Sequence, residues 1–187
     1  VHAPAGAGDG RFGALGVGFI ICEVALMQRL ILLLGHPIYT LVVILFVLLL
    51  ASALGSLFAR RFEVDRIRTA LGRIIPLVVL LVVLGAFALP PLIRAAVPLE
   101  LPWRIAIAAA LTMPFGFLMG MPFPLGLRSS TGDPQGAPVS VLWGINGVAS
   151  VIGSIGGMLL AIAAGFTAVF IAGAACYALA WVSRARD

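Results

Sequence analysis

Long apolar runs alternate with short polar stretches along this chain. Each run contains about 20 residues, the length that a helix needs to cross about 30 Å of hydrocarbon. The pattern predicts a flexible linker or truncated stub followed by six membrane-spanning helices. The linker covers 1–12, and the helices cover 13–34, 38–59, 74–93, 105–127, 139–164 and 166–182. A single glycine, Gly165, separates the last two helices.

The arginines predict how these helices are oriented. All 12 basic residues are arginine, and most of them flank apolar runs. Because cytoplasmic loops carry an excess of positive charge, we expect both termini in the cytoplasm. Nine arginines then lie on the cytoplasmic side, namely Arg11, Arg60, Arg61, Arg66, Arg68, Arg73, Arg128, Arg184 and Arg186. Arg94 and Arg104 lie on the opposite side, and Arg29 lies within the first run.

Composition excludes a soluble or disordered protein. Hydrophobic residues make up 62% of the chain and charged residues 10%, with a mean hydropathy of +1.18. Soluble domains carry about 25% charged residues, and disorder needs low hydrophobicity and high charge. The predicted fold class is therefore all-α, a polytopic integral membrane helical bundle. Although the net charge is +5, the arginines mark the ends of apolar runs, and we expect no nucleic-acid partner.

The cysteines and the start of the chain indicate no catalytic or metal site. Cys22 and Cys176 lie inside apolar runs, so we expect small buried side chains instead of a disulfide framework or a zinc site. The stretch Gly6-Ala7-Gly8-Asp9-Gly10 lacks the preceding strand that a nucleotide-binding glycine loop requires. Because the chain begins with Val1 instead of methionine, we expect a trimmed or partial product of a longer gene.

Polar residues interrupt the first apolar run and the turn after it, at Glu23, Gln28, Arg29 and His36. A charged residue in the middle of a membrane helix costs roughly 2.5 to 3.5 kcal/mol, so Glu23 must face protein or water. It is either a proton or substrate relay or a polar clamp between helices. We expect Arg29, about 120° around the helix from Glu23, to extend toward the far interface near His36 and Tyr39. His36 is then a capping residue, or a ligand to a metal or a pigment magnesium.

Small residues predict close packing along the fifth segment. They recur at steps of three and four, at Gly147, Ser150, Ser154, Gly157, Ala161 and Ala164, and Gly153 forms a G-x-x-x-G pair with Gly157. Small side chains let helix backbones approach each other where lipid supplies no hydrophobic force. We expect nearly the whole helix to be buried, either within this chain or against another subunit.

The fourth segment contains three prolines, Pro114, Pro122 and Pro124. Proline removes a backbone donor and kinks a helix, and broken helices often line cavities in transporters. Kinks also occur in membrane helices that transport nothing. The segment is therefore either a kinked packing element or the wall of a cavity.

Polar landmarks occur in the first two segments at Glu23, Gln28, Arg29 and the turn Gly35-His36-Pro37, and later in the chain at Asn146. Together they resemble those in the C-terminal membrane region of bacterial fused spermidine-synthase-like proteins. The resemblance continues through MGMPFPLGLR (119–128), WGINGVASVIGS (143–154) and GFTAVFIAGAACYALA (165–180). It implies a multi-pass protein of the bacterial inner membrane, joined in that family to a Rossmann-type, S-adenosyl-methionine-dependent methyltransferase-like domain. The acidic and glycine-rich motifs of that domain do not occur here, so we expect no enzyme activity from these residues.

The sequence predicts a non-catalytic membrane module with a structural or assembly role. It packs within a larger membrane protein, or as an accessory subunit within a multisubunit complex, for example an energy-converting one. Its partners are then membrane lipid and other subunits, or an upstream domain of the same gene. Two alternatives stay open: the anchor of a fused aminopropyltransferase or methyltransferase-like enzyme, and a transporter-like half-unit that uses Glu23 and the kinked fourth segment. No motif implies a cofactor.

Overall fold

Helices form every regular element in the described part of the chain, residues 7–130 and 137–184 of a computed structural model. They are α1 (Ala7–Leu34), α2 (Pro37–Ala59), a 3₁₀ turn (Val64–Arg66), α3 (Ile67–Ala96), α4 (Leu101–Met119), α5 (Pro122–Ser130) and α6 (Val139–Arg184). Five stretches are long and apolar enough to cross a membrane: α1, α2, α3, α4 together with α5, and α6. The all-helical fold is confirmed, and its helices suit a multi-pass membrane protein.

The first helix begins inside the segment predicted to be a linker, 1–12. α1 starts at Ala7, and Phe12 is fully buried. The Phe12 ring meets the ring of Phe123 edge to face, with the centroids 5.7 Å apart. Because this aromatic contact buries the start of α1, the linker prediction is corrected from Ala7 onward. Residues 1–6 lie outside the described part of the chain.

Other helix bounds also differ from the predicted ones: α3 ends at Ala96 instead of residue 93, and α4 begins at Leu101 instead of residue 105. α3 begins at Ile67, earlier than the predicted residue 74, because its polar first turns still bury Ile67 and Leu71. The fourth segment is divided: α4 ends at Met119 and α5 begins at Pro122. The interruption falls at Gly120 and Met121, directly before Pro122.

A tight turn joins α1 to α2. Gly35 has a φ of +75°, a conformation that suits glycine because it has no Cβ. The His36 side chain then caps α2, since its Nδ1 accepts a hydrogen bond from the backbone N–H of Ile38 at 3.3 Å. Pro37 occupies the first position of the helix. A backbone N–H at this position would have no acceptor within the helix, so proline costs no hydrogen bond there.

A second glycine breaks α6. Gly165 has φ +78° and ψ 168°, which are not helical values. We refer to the part before it as α6a (139–164) and to the part after it as α6b (166–184).

Both parts of α6 lie against α1, in opposite directions. Gly13 of α1 faces Ile145 of α6a, and further along both helices Ile21 faces Gly157. α6a therefore runs parallel to α1.

The order of contacts is reversed in α6b. Arg29, near the C-terminal end of α1, binds Thr167, whereas Gly18 faces Tyr177. Since α6b runs antiparallel to α1, the chain reverses direction at Gly165, and α1 lies between the two arms.

Side-chain bonds to backbone carbonyls show which helix ends meet. Arg128 of α5 donates to the carbonyl oxygens of Ala59 at 2.9 Å and Phe62 at 2.8 Å, just after α2. Trp181 of α6b donates through Nε1 to the Gly72 oxygen of α3 at 3.2 Å. This end also carries Arg60, Arg61, Arg66 and Arg73, and we call it the arginine-rich end.

The opposite end of the bundle contains the α1–α2 turn and the start of α4. There Arg104 donates to the Leu33 oxygen at 3.3 Å. The described start of α1 and the described end of α6 both lie at the arginine-rich end, because Phe12 contacts α5 and Trp181 contacts α3.

Glycines bring α2 and α4 into backbone contact. A Cβ built on Gly116 would lie 2.8 Å from the Leu48 oxygen. A Cβ on Gly120 would strike the Ser52 backbone, and one on Gly55 would strike the Phe117 oxygen. Gly116 and Gly120 form a G-x-x-x-G pair, and Gly55 lies four residues after Ala51 on the facing helix, so small residues on both helices form this contact.

Candidate functional site

Arg29 is a buried polar residue that connects three helices of the bundle. Its side chain is only 6% exposed. Nη1 donates to the Ala86 oxygen of α3 at 2.9 Å, and Nη2 donates to Oγ1 of Thr167 in α6b at 2.6 Å. The guanidinium carbon also lies 5.1 Å from the centre of the Phe170 ring. One side chain therefore ties α1 to both α3 and α6b.

The carbonyl that Arg29 binds has no partner within its own helix. Ala86 lies four residues before Pro90 in α3. Proline has no backbone N–H, so the usual i→i−4 hydrogen bond to the Ala86 oxygen cannot form. Arg29 supplies the missing donor from another helix. Trp181 does the same for Gly72, which lies four residues before Pro76.

This position of Arg29 corrects the predicted one. We expected the side chain to extend toward the far interface near His36 and Tyr39. Instead it turns inward, because the Ala86 carbonyl, the Thr167 hydroxyl and the Phe170 ring lie within its reach. These groups belong to α3 and α6b, so the sequence around Arg29 does not reveal them.

Glu23 is buried without a bonding partner. Its residue is 9% exposed, and no hydrogen bond or ion pair reaches its carboxylate from any residue that the structure describes. Neither carboxylate oxygen of Glu23 is among the fully buried side-chain atoms of the described residues that lack a hydrogen bond, so the carboxylate keeps some exposure. Glu23 therefore forms no polar clamp with the described residues.

The four predicted polar residues do not form one cluster. Within the described ranges, no hydrogen bond or ion pair joins any two of Glu23, Gln28, Arg29 and His36. Gln28 is half-buried, whereas His36 is exposed. The His36 ring caps α2 and lies 5.3 Å from the Tyr39 ring, centroid to centroid.

The predicted small-residue stripe is rotated relative to the contact with α1. Gly157 and Ala161 are buried, Ser150 and Ser154 are half-buried, and Gly147 and Ala164 are exposed. The observed contact line includes Gly153, which faces Val17 and Ile20 of α1. The G-x-x-x-G pair of Gly153 and Gly157 thus packs inside this chain.

Most of the circumference of α6a faces outward, which differs from the expectation that nearly the whole helix is buried. A Cβ built on Gly144, Gly147 or Gly156 would meet nothing within 4 Å. Exposed β-branched side chains such as Val151 and Ile155 lie beside these glycines. We call this surface the outward face of α6a; its exposed members are Val141, Trp143, Gly144, Gly147, Val148, Val151, Ile152, Ile155, Gly156, Met158, Leu159 and Ile162.

The three prolines of the fourth segment have different positions. Pro114 lies inside α4 and is exposed, whereas Pro122 is buried at the first position of α5. Pro124 is half-buried in the first turn of α5. Two of the three prolines therefore begin a helix, where proline is tolerated.

Sequence reasoning missed the carbonyl-binding side chains and the α2–α4 contact. A signal existed for each. A proline inside a membrane helix predicts an unmatched carbonyl four residues earlier, as at Gly72 and Ala86. The spacing of Gly116 and Gly120 predicts a helix contact, although it does not name α2 as the partner.

Metal and thiol chemistry have little support in the described residues. There, no group of three or more His, Cys, Asp or Glu side chains is placed to hold a metal ion. Cys22 and Cys176 are both free thiols. Cys22 packs closely against Gly173 of α6b, because a Cβ built on Gly173 would lie 2.5 Å from the Cys22 sulfur.

Comparisons with known proteins add no assignment. No protein-family model, no curated protein and no solved structure matches this chain.

Proposed function

We propose that the chain is a non-catalytic membrane module that joins a larger assembly through the outward face of α6a. In this proposal it crosses the membrane six times, with the arginine-rich end in the cytoplasm. The observation that supports it most strongly is the exposure of Gly144, Gly147 and Gly156, which no described residue covers.

The outward face of α6a differs from the other exposed helix surfaces. α2 presents bulky side chains such as Leu41, Phe46 and Leu49, which suit contact with lipid chains. α6a alternates bare glycine backbone with exposed Val151 and Ile155. Such a surface of hollows and ridges favours close approach of another helix, because dispersion contacts drive helix association in lipid.

Six membrane crossings are supported by the reversal at Gly165 and by the lengths of its arms. With a rise of 1.5 Å per residue, α6a is about 39 Å long and α6b about 28 Å long. Each is close to the roughly 30 Å of a hydrocarbon core. The excess of arginine at one end of the bundle favours the cytoplasm for that end.

The assembly role is tested with leucines on the outward face. We expect Gly147→Leu/Gly156→Leu to leave the melting temperature of the isolated chain nearly unchanged, since a Cβ at either position has no described neighbour within 4 Å. The same variant should weaken the association constant of the 19.4 kDa chain with its larger complex about tenfold, because a lost helix contact of about 1.4 kcal/mol changes an equilibrium constant tenfold. Native mass spectrometry of material extracted gently from its own membrane measures this.

Two control variants separate assembly from folding. Leu50→Ala changes the lipid-like face of α2 and should leave the complex intact. Gly157→Leu enters the contact with Ile21, where a Cβ already lies 3.2 Å from a side-chain carbon, and should destabilise the chain itself. A wild-type chain that is monomeric in its own membrane would overturn the proposal.

The partner can also be a domain of the same gene. The membrane segments resemble those of fused spermidine-synthase-like proteins, and in that case the module anchors an upstream enzyme domain. Intact mass of the natural product separates this case from a free-standing accessory subunit.

A transporter-like role is the second candidate. Glu23 favours it, because the residue is 9% exposed and no described residue binds its carboxylate. Glu23→Gln should then abolish proton-coupled flux in liposomes, whereas Gln28→Ala, on the same helix, should not. Equal flux in the Glu23→Gln variant and the wild type removes this candidate.

A further inference from the structure

A half-open cavity lies at the start of α3, at the arginine-rich end. Its volume is about 510 Å³. The lining side chains are Phe62, Arg66, Thr69, Ala70, Arg73 and Ile74. The assembly role of the outward face of α6a does not involve these residues.

Polar groups line one side of the cavity. Arg66 ends the 3₁₀ turn directly before α3, and Thr69 and Arg73 are four residues apart on α3, so their side chains project in nearly the same direction. Arg66 lies 3.6 Å from the Glu63 carboxylate, but both side chains are largely exposed, and such a pair contributes little. No described residue accepts a hydrogen bond from Arg73. Two guanidinium groups and a hydroxyl are therefore available to one anion.

The floor of the cavity is apolar. Ala70 and Ile74 are buried, and Phe62 is half-buried. Next to it, Trp181 binds the Gly72 carbonyl, and tryptophan is enriched at the level of lipid headgroups. The cavity thus lies where a membrane meets water.

An apolar stripe continues from the cavity along the same face of α3. Leu77, Leu80 and Leu84 follow Arg73 at steps of four, three and four residues, and all three are exposed. At a helical period of 3.6 residues these leucines line up below the arginines. The same face therefore offers cationic donors at one end and a hydrocarbon track beyond them.

We propose that this cavity binds the phosphate of an anionic membrane phospholipid, with the acyl chains lying along Leu77, Leu80 and Leu84. Arg66 and Arg73 hold the phosphate oxygens, since charge-assisted bonds from guanidinium to phosphate are strong and directional. Thr69 donates its hydroxyl between them. The leucine track selects a lipid over a free phosphate ion.

The test compares two double variants with the same loss of charge. Arg66→Gln/Arg73→Gln alters the cavity, and Arg60→Gln/Arg61→Gln alters neighbouring arginines that do not line it. Binding of phosphatidylglycerol and of phosphatidylcholine to the purified chain is titrated by native mass spectrometry. Each guanidinium–phosphate bond that is lost weakens binding by about tenfold, so the cavity variant should bind phosphatidylglycerol about 100-fold more weakly. The control should change by about threefold at most, because exposed charges at a distance are screened by salt.

The remaining outcomes overturn the proposal. An equal loss in both variants means that surface charge alone attracts the lipid. Equal binding of phosphatidylcholine means that the anionic headgroup is not recognised. A third titration uses inorganic phosphate: if phosphate alone binds as tightly as phosphatidylglycerol, the site takes a free anion and the lipid assignment is wrong. Circular dichroism and thermal unfolding establish that both exposed double variants remain folded.

Discussion

Arg29 and Pro90 depend on each other although they lie on different helices. Pro90 leaves the Ala86 carbonyl without its helical donor, and Arg29 provides that donor at 2.9 Å. Inside a membrane this matters more than in water, because no solvent can satisfy an unmatched backbone group. Pro90 would weaken α3 if that helix were isolated. In the bundle it leaves a carbonyl oxygen that binds the Arg29 side chain of α1.

A double-mutant cycle measures this dependence. Arg29→Met should lower the free energy of unfolding by about 2 to 4 kcal/mol, because it removes bonds from a charged donor and leaves the Ala86 oxygen unmatched. Pro90→Ala restores a backbone N–H to that oxygen. The double variant Arg29→Met/Pro90→Ala should therefore be more stable than Arg29→Met alone by about 1 kcal/mol.

Unfolding in mixed detergent micelles, followed by circular dichroism, gives these free energies. Arg29→Lys is the matched control, since it keeps the charge but cannot reach two acceptors in the same geometry. If the effects of the two substitutions add within about 0.5 kcal/mol, the residues are independent, and Arg29 does not compensate for Pro90.

At the scale of helices, glycine has opposite roles on different faces. Backbone contact between α2 and α4 depends on Gly55, Gly116 and Gly120. By contrast, a Cβ built on Gly144 would have no described neighbour within 4 Å. The same substitution should therefore have opposite effects in the two places.

Alanine substitutions test this difference. Gly55→Ala should destabilise the chain by about 1 to 3 kcal/mol, because its Cβ would strike the Phe117 carbonyl and force the helices apart. Gly144→Ala should stabilise it by about 0.5 to 1 kcal/mol, because alanine is the better helix former. Thermal unfolding of the two variants in the same detergent measures both effects. Melting temperatures that shift in the same direction in both variants would contradict the different packing of the two glycines.

The whole molecule is organised around α1, which lies between α6a and α6b. This arrangement places the start of α6a and the end of α6b at the same side of the bundle. Ser140 and Ser183 therefore lie at one end of the bundle, and Ala164 lies at the other.

Single cysteines test this topology in a background in which Cys22 and Cys176 are replaced by alanine. A membrane-impermeant maleimide should label Ser140→Cys and Ser183→Cys only in inverted vesicles, and Ala164→Cys only in intact cells. Labelling of Ser140→Cys and Ser183→Cys from opposite surfaces would mean that α6 crosses once. That result would also remove the proposal of six crossings.

Hydropathy locates the apolar part of each helix, and the break at Gly165 is visible in the sequence. Hydropathy does not give the polar first turns of α1 and α3, and it does not give the rotation of each helix about its own axis. The stripe predicted in α6a was rotated, because Gly147 and Gly153 are both small and only the shape of α1 distinguishes them. Arg29 was misplaced for a similar reason: its acceptors lie 57 and 138 residues away in the chain. Spacing within one helix does not carry that information.

The distance along the chain between α1 and its neighbours also has a consequence for synthesis. Arg29 and Thr167 are 138 residues apart, and translation at about 5 to 20 residues per second separates their appearance by roughly 7 to 28 s. During that interval Gly13, Gly16 and Gly18 of α1 have no helix to pack against. This glycine-rich surface of α1 therefore lacks its native neighbours until both arms of α6 have been synthesised.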